Sequence, residues 1–432
     1  MVVQINYSTR SEFILFAQYA LKITFKDLKG DSMDELDSLK GWIAVGCAFV
    51  SMFICFGIVY SFGAFFDPMS SEFGTSSSAT SAVFSITTFI FFTGGIISGM
   101  AADRFGPKPV LIFGGLAMGI GLYLTSLVHS LWVGYITYGL GVGVGVACGY
   151  VPMLAVVGAW FERRRTVALG VAVTGVGLGT LVAAPLAAAL INHYGWRQTY
   201  VIFGISSAVG LILCGFLTPR PPASTGQQSK MRLGELVKVP VFGYMYFSVF
   251  FITLALFVPF VFLASYARAQ GIEQVAAASL VGIIGGASIA GRLGFGALGD
   301  KISRVRLYQS TFIIVAASFL IWLFSSHSFA LLVVYAVMLG SGYGGFIVLS
   351  PAVAVEIFGL VGLGTILGAT YTAAGIGGLL GPTLAGYLID KTGSYSATVI
   401  AAMVFAFIGF LLLIPVERYL RKRILLTTPD LK

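Results

Sequence analysis

The sequence predicts an all-α integral membrane protein of twelve transmembrane helices, arranged as two pseudo-symmetric six-helix bundles. Three observations carry that expectation. The chain of 432 residues is 57% hydrophobic and only 10% charged, whereas a soluble domain carries about 25% charged residues. Lipid must therefore be the solvent for much of its surface. Twelve apolar segments are each long enough to cross a core about 30 Å thick as a helix. A short polar signature also recurs at half the chain length.

The elements follow in order. Residues 1–41 form an N-terminal tail. Its stretch Phe13 to Phe25 is apolar but too short to span, and no clear cleavage site follows it. It reads as an amphipathic or loose tail, or as an upstream start ahead of Met33. The first half, 42–217, holds spans at 42–66, 79–102, 108–127, 131–153, 166–191 and 198–217. Residues 218–239 carry Pro219, Pro221 and Pro222 and then Ser, Thr, Gly and Gln, which suits a polar linker. The second half, 240–416, holds spans at 240–266, 274–298, 306–325, 329–354, 362–389 and 394–416. A basic tail, 417–432, closes the chain at the membrane surface.

Lysine and arginine orient these spans. Of the 26 such residues, 22 fall on the side of the termini, three (Arg197, Arg268 and Lys391) on the other side, and Arg292 within a span. The basic side faces the cytoplasm, so both termini are expected there, in a multi-pass protein of the plasma membrane. The formal net charge of +9 thus reflects orientation, and no nucleic-acid partner is implied. Cys47, Cys55, Cys148 and Cys214 lie inside spans without paired or metal-like spacing, which suits inert buried thiols. The run Gly139-Leu-Gly141-Val-Gly143-Val-Gly145 lies inside a span, so it serves helix packing and not a dinucleotide. With no ATP loop, metal cluster or nucleophile–base set, the chain reads as a non-enzyme without cofactor or metal.

Arg292 is the only charge in the apolar stretch Ala276 to Leu298. Eight residues separate it from Asp300, which places it about 12 Å from the inner end of its helix. A charge at that depth tends to face a cavity and to have a function. A guanidinium keeps its proton and offers a planar fork that matches a carboxylate. A small organic anion is therefore the expected partner of Arg292, the alternative being a structural pairing with backbone carbonyls. Tyr343 and Thr253 near mid-helix, Tyr371 and Ser288 about one turn away, and Tyr60 and Tyr138 on the outer halves of their helices could line the same cavity, since tyrosine joins an apolar body to a hydroxyl. Their bland alternative is aromatic packing. His129, His193 and His327 fall at span edges, and no acid is clearly central.

Gly99-Met-Ala-Ala-Asp103-Arg104-Phe-Gly106-Pro-Lys108 follows the second span, and Gly296-Ala-Leu-Gly-Asp300-Lys301-Ile-Ser-Arg304 follows the eighth. This repeat resembles the signature of the major facilitator superfamily over residues 42–416. The resemblance implies two parallel six-helix halves with the substrate between them. Asp103, Arg104, Lys108, Asp300, Arg163 and Arg164 are then candidate gating residues, with Asp103 accepting from the N-terminus of a facing helix.

Trp160-Phe-Glu-Arg163-Arg164-Arg165, followed by Ala168 and Gly170, together with Gly41-Trp42 and Gly291-Arg292, resembles the monocarboxylate transporters and the related oxalate–formate exchangers. That resemblance implies alternating-access transport of short carboxylates such as lactate or pyruvate, often with a proton. Two departures stand out. Ser288 occupies the place of an acid one turn before the arginine, and residues 42–66 contain no lysine. A second cation in the eleventh span, as in the oxalate exchangers, is also missing, and one fixed charge suits one carboxylate. Export or exchange of another organic anion or drug is the alternative function. A transport-dead sensor of organic acids is the alternative from another class. The sequence leaves the oligomeric state open, with a monomer compatible.

Overall fold

The structure, a computed structural model, describes residues 36–221, 233–236, 239–299, 301–359 and 363–427. Asp300, most of the linker and the tail before residue 36 lie outside those residues. The described elements are all helical: α1 (Leu39–Tyr60), α2 (Phe62–Phe73), α3 (Ser77–Phe105), α4 (Pro107–Ser126), α5 (Leu131–Trp160), α6 (Arg165–Leu217), the short α7 (Leu233–Leu236), α8 (Pro240–Leu256), α9 (Val258–Ala269), α10 (Gln274–Leu298), α11 (Arg304–Leu323), α12 (Phe329–Phe358), α13 (Leu363–Thr392) and α14 (Tyr395–Thr427).

Eleven helical stretches among these residues are long and apolar enough to cross a membrane. One of them, α6, has 53 residues. As a single straight helix it would run about 80 Å at 1.5 Å per residue, far more than a bilayer needs. Gly195 divides it with φ 78° and ψ 164°, a conformation open to a residue without a Cβ. The fifth and sixth spans lie on either side, which restores the count of twelve. The next residues anchor that turn. Trp196 Nε1 and Arg197 Nη2 both donate to the Glu72 carboxylate at 2.6 Å, while Arg197 also donates to the Ser126 and Val128 carbonyls.

The first and seventh spans are each interrupted near mid-length. Ser61 separates α1 from α2, and its hydroxyl donates to the Ile58 carbonyl at 2.8 Å. Phe257 separates α8 from α9, two residues ahead of Pro259, whose ring nitrogen has no hydrogen to donate. Several helices outrun the expected spans: α5 reaches Trp160 and α12 reaches Phe358. Hydropathy marks only the lipid-buried part of a helix, and the backbone ladder continues beyond it.

Exposed apolar side chains cover the outside. Phe113, Trp132, Ile136, Ile205, Phe216 and Phe324 are all more than half exposed, which is the expected finish where lipid is the solvent. On the face that carries the termini, Asp37 docks the entry of α1 onto the turn between α5 and α6. Its N–H donates to the Trp160 carbonyl. Its carboxylate accepts the main-chain N–H groups of Glu162, Arg163 and Arg164 at 3.4, 3.2 and 3.3 Å.

The two halves meet along α6 with α10, α3 with α13 and α2 with α9. On the distal face, away from the termini, these contacts close tightly. Asp390, at the end of α13, accepts from Ser77 N (2.8 Å), Ser78 N (2.9 Å) and Ser78 Oγ (2.7 Å), so it caps α3 of the other half. Arg268 on α9 pairs with Asp67 on α2 at 3.1 Å. Thr383 bonds Ser85 at 3.0 Å. Deeper in, Gly177 and Gly285 leave no room for a Cβ, since one on Gly285 would stand 2.6 Å from the Gly177 carbonyl.

The Asp390 cap should hold the distal side shut. Loss of a charged cap costs about 1–2 kcal/mol. Asp390→Asn is therefore expected to raise the population of distally separated molecules about 5- to 30-fold. Spin–spin distances between labels at exposed Ser71 and Ser396 check this; a distribution identical to the parent would show that the cap does not hold the halves.

Candidate functional site

The site is built around α10. This helix crosses α12 so closely that a Cβ on Gly291 would collide with the Ser341 carbonyl, and one on Gly344 with the Ser288 carbonyl. Glycine at both positions lets the backbones touch, which fixes the rotation of α10 and aims Arg292 between the halves. Its side chain is 7% exposed. Nη1 donates to the Val173 carbonyl of α6, in the other half, at 2.8 Å. Nε and Nη2 are buried and have no hydrogen-bond partner among the described residues. These two nitrogens share one edge of the guanidinium, the edge that presents two parallel N–H groups to a carboxylate.

That guanidinium lines a cavity between the halves, with about 750 Å³ of empty space counting the part open to solvent. Every helix of the half-to-half interface contributes except α2 and α9. Phe56 and Tyr60 come from α1, Phe91 and Phe92 from α3, Tyr150 from α5, Val173 and Val176 from α6, and Thr253 and Leu256 from α8. Phe257 comes from the break, and Tyr343, Phe346 and Ser350 from α12. Thr370 and Tyr371 come from α13.

Tyrosines bridge the halves beside the cation. The hydroxyls of Tyr60 and Tyr343 share a hydrogen bond of 2.9 Å. Phe260 stacks on Tyr60 with ring centroids 4.2 Å apart and meets Tyr343 edge-on at 5.9 Å. Tyr150 of α5 and Tyr371 of α13 line the cavity from opposite halves. Tyr343, Tyr150 and Tyr60 are the titratable neighbours of Arg292. A deprotonated carboxylate seated on the free guanidinium edge would find hydroxyl donors close by.

Of the residues expected to share this cavity, Arg292, Tyr343, Tyr371, Tyr60 and Thr253 all line it. Thr253 spends its hydroxyl on the Val249 carbonyl of its own helix at 2.7 Å. Tyr138 and Ser288 do not reach the cavity. Tyr138 is fully buried beside Phe62 and Tyr200, and Ser288 turns its hydroxyl back to the Gly285 carbonyl at 2.7 Å. Tyr60 and Tyr138 both lie in the outer half of their helices, but rotation about the helix axis separates them.

The gating candidates sit on the face of the termini. Asp103 is exposed and accepts no hydrogen bond among the described residues, so the expected cap on a facing helix does not occur at this end within them. It occurs instead at the distal end, where Asp390 caps α3. Arg104 lies over the Phe105 ring at 5.2 Å, and Lys108 over the Phe216 ring at 4.3 Å. Arg163 and Arg164 hold the Asp37 carboxylate through their main-chain N–H groups. Asp300 lies outside the described residues.

Sequence reasoning missed Tyr150 and the phenylalanines. Tyr150 stands three residues from the expected end of the fourth span at 153, whereas α5 continues ten residues past Tyr150 to Trp160. A phenylalanine in an apolar helix offers no contrast by which to pick it out.

Residues 48–308 and 288–429 match the model of the Major Facilitator Superfamily. Monocarboxylate transporter 13 of Bos taurus is 31% identical over 397 residues, which covers 88% of this chain and 90% of that one. Monocarboxylate transporter 2 of Homo sapiens is 29% identical, covering 85% of each. MFS transporter asaE of Aspergillus flavus is 29% identical, covering 82% of this chain and 81% of the other. Among solved structures, a bacterial homologue of the human lysosomal transporter Spinster, inward-facing and occupied, superposes with a TM-score of 0.70 at 17% identity. It covers 90% of this chain and 98% of that one, and it supports the fold alone. Twelve spans in two halves, the half-length repeat and these matches lead to one conclusion: the chain belongs to the Major Facilitator Superfamily, in its monocarboxylate transporter branch, and is an integral membrane transporter, not an enzyme.

Proposed function

We propose that the chain is a secondary active transporter of monocarboxylate anions, with the substrate carboxylate held on the Nε–Nη2 edge of Arg292. The observation that carries this reading is that edge: two buried, unpaired donors of a permanent cation beside a cavity between two movable halves. A buried charge without a partner is costly, and a bound carboxylate supplies the partner. The names of the relatives at about 30% identity support the same substrate class.

In this reading the bundles 42–217 and 240–416 rock about the site. Tyr60 and Tyr343 close it distally, while Asp103, Arg104, Lys108, Asp300, Arg163 and Arg164 form the gate on the face of the termini. The Lys and Arg asymmetry supports cytoplasmic termini, and we assign the protein to the plasma membrane. Proton coupling is part of the proposal. The residues lining the cavity include no Asp, Glu or His, so the carboxylate and a proton cross together with no dedicated acid in this wall.

Arg292→Lys replaces a fork by a point charge and is expected to lower uptake of a monocarboxylate into proteoliposomes about 10- to 100-fold, since a charged hydrogen bond contributes about 1.5–3 kcal/mol. Wild-type rates in that variant would contradict the assignment. The tyrosines separate local packing from the site. Tyr343→Phe removes the bond to Tyr60 and should slow uptake several-fold, as one such bond is worth about 1 kcal/mol. Tyr138→Phe removes a hydroxyl with no partner and should leave uptake unchanged. Equal effects of the two substitutions in the same assay would contradict the placement of the cavity.

A further inference from the structure

The geometry points to a substrate larger than a three-carbon acid: a monocarboxylate whose apolar body is an aromatic ring or a comparably bulky hydrocarbon group. This rests on the reading of Arg292 as the carboxylate site. The cavity has one fixed cation, a few hydroxyls and otherwise an apolar, largely aromatic wall. A lactate-sized anion paired with Arg292 would leave most of that wall facing water.

The wall is also of a particular kind. Phe56 meets Phe91 edge-on at 5.9 Å and Tyr150 edge-on at 5.1 Å. Phe92 meets Phe257 edge-on at 6.1 Å and lies 5.9 Å from Tyr371. The last two contacts join the N-terminal half to the C-terminal half. Rings set edge-to-face leave faces and edges available to another ring, the arrangement aromatic pairs favour. An aryl group between Phe56 and Phe91 on one side and Phe257 on the other would touch both halves at once, as would its carboxylate through Arg292 and the nearby Tyr60. A second carboxylate would find no second cation among the residues lining the cavity, which excludes dicarboxylates by the cost of a buried, unpaired charge.

The test uses the purified full chain, by thermal shift and by uptake competition in proteoliposomes. The probes are 3-phenyllactate, lactate, malonate and the uncharged 2-phenylethanol. The inference expects 3-phenyllactate to half-saturate at a concentration at least tenfold lower than lactate, with malonate and 2-phenylethanol without effect. Phe56→Leu and Phe91→Leu are each expected to shrink the preference for 3-phenyllactate over lactate at least threefold. Lactate binding as tightly as 3-phenyllactate would overturn the aromatic body and leave the carboxylate site standing. Protection by 2-phenylethanol as strong as by 3-phenyllactate, or by no acid at all, would overturn the carboxylate site together with it.

Discussion

A guanidinium with two unsatisfied donors, held between two helix bundles, is the constraint to which the rest of the molecule answers. Moving a cation into the centre of a membrane costs about 3 kcal/mol on insertion scales and more in other treatments. Arg292 recovers part of that through the Val173 carbonyl. That bond also crosses from one half to the other, so the anchor of the cation is itself a contact that motion of the halves would disturb. The remaining two nitrogens are left for something that is not protein.

The surrounding packing serves to keep that arrangement in register. Backbone contact between α10 and α12 removes rotational freedom from the helix that bears Arg292. The breaks at Ser61 and Phe257 occur in the first span of each half, next to Tyr60 and to the aromatic wall, where a helix can bend without losing many bonds. Toward the distal face the interface becomes polar and closed, through Asp390 on Ser77 and Ser78 and through Arg268 on Asp67. Asp103 ends the second span on the opposite face, is exposed, and has no hydrogen bond among the described residues. A carboxylate latched at one end and its counterpart released at the other is what a carrier closed on its distal side would be expected to present.

Much of this was legible in the sequence because lipid makes the signals strong. An apolar run of bilayer length can only be a helix, and a single arginine inside one stands out by charge alone. The half-length recurrence around Asp103 and Asp300 carried the fold. Rotation about helix axes was not legible: Tyr60 and Tyr138 both read as residues of the outer half, yet one reaches the cavity and the other packs against Phe62. Helices apolar on every side carry no amphipathic phase to decide such cases. Tyr150 was lost to a helix that continues past the membrane edge, and the phenylalanine wall to the lack of contrast between a lining ring and a packing ring. The Asp390 cap depends on two segments more than 300 residues apart in the chain and has no local signature.

An experimental structure with a bound aryl monocarboxylate tests the central claim most directly. The account predicts both carboxylate oxygens within hydrogen-bonding distance of Nε and Nη2 of Arg292, with Nη1 still on the Val173 carbonyl and the ring among Phe56, Phe91 and Phe257. A ligand seated elsewhere, or a guanidinium edge taken up by another protein group while the ligand is bound, would contradict it.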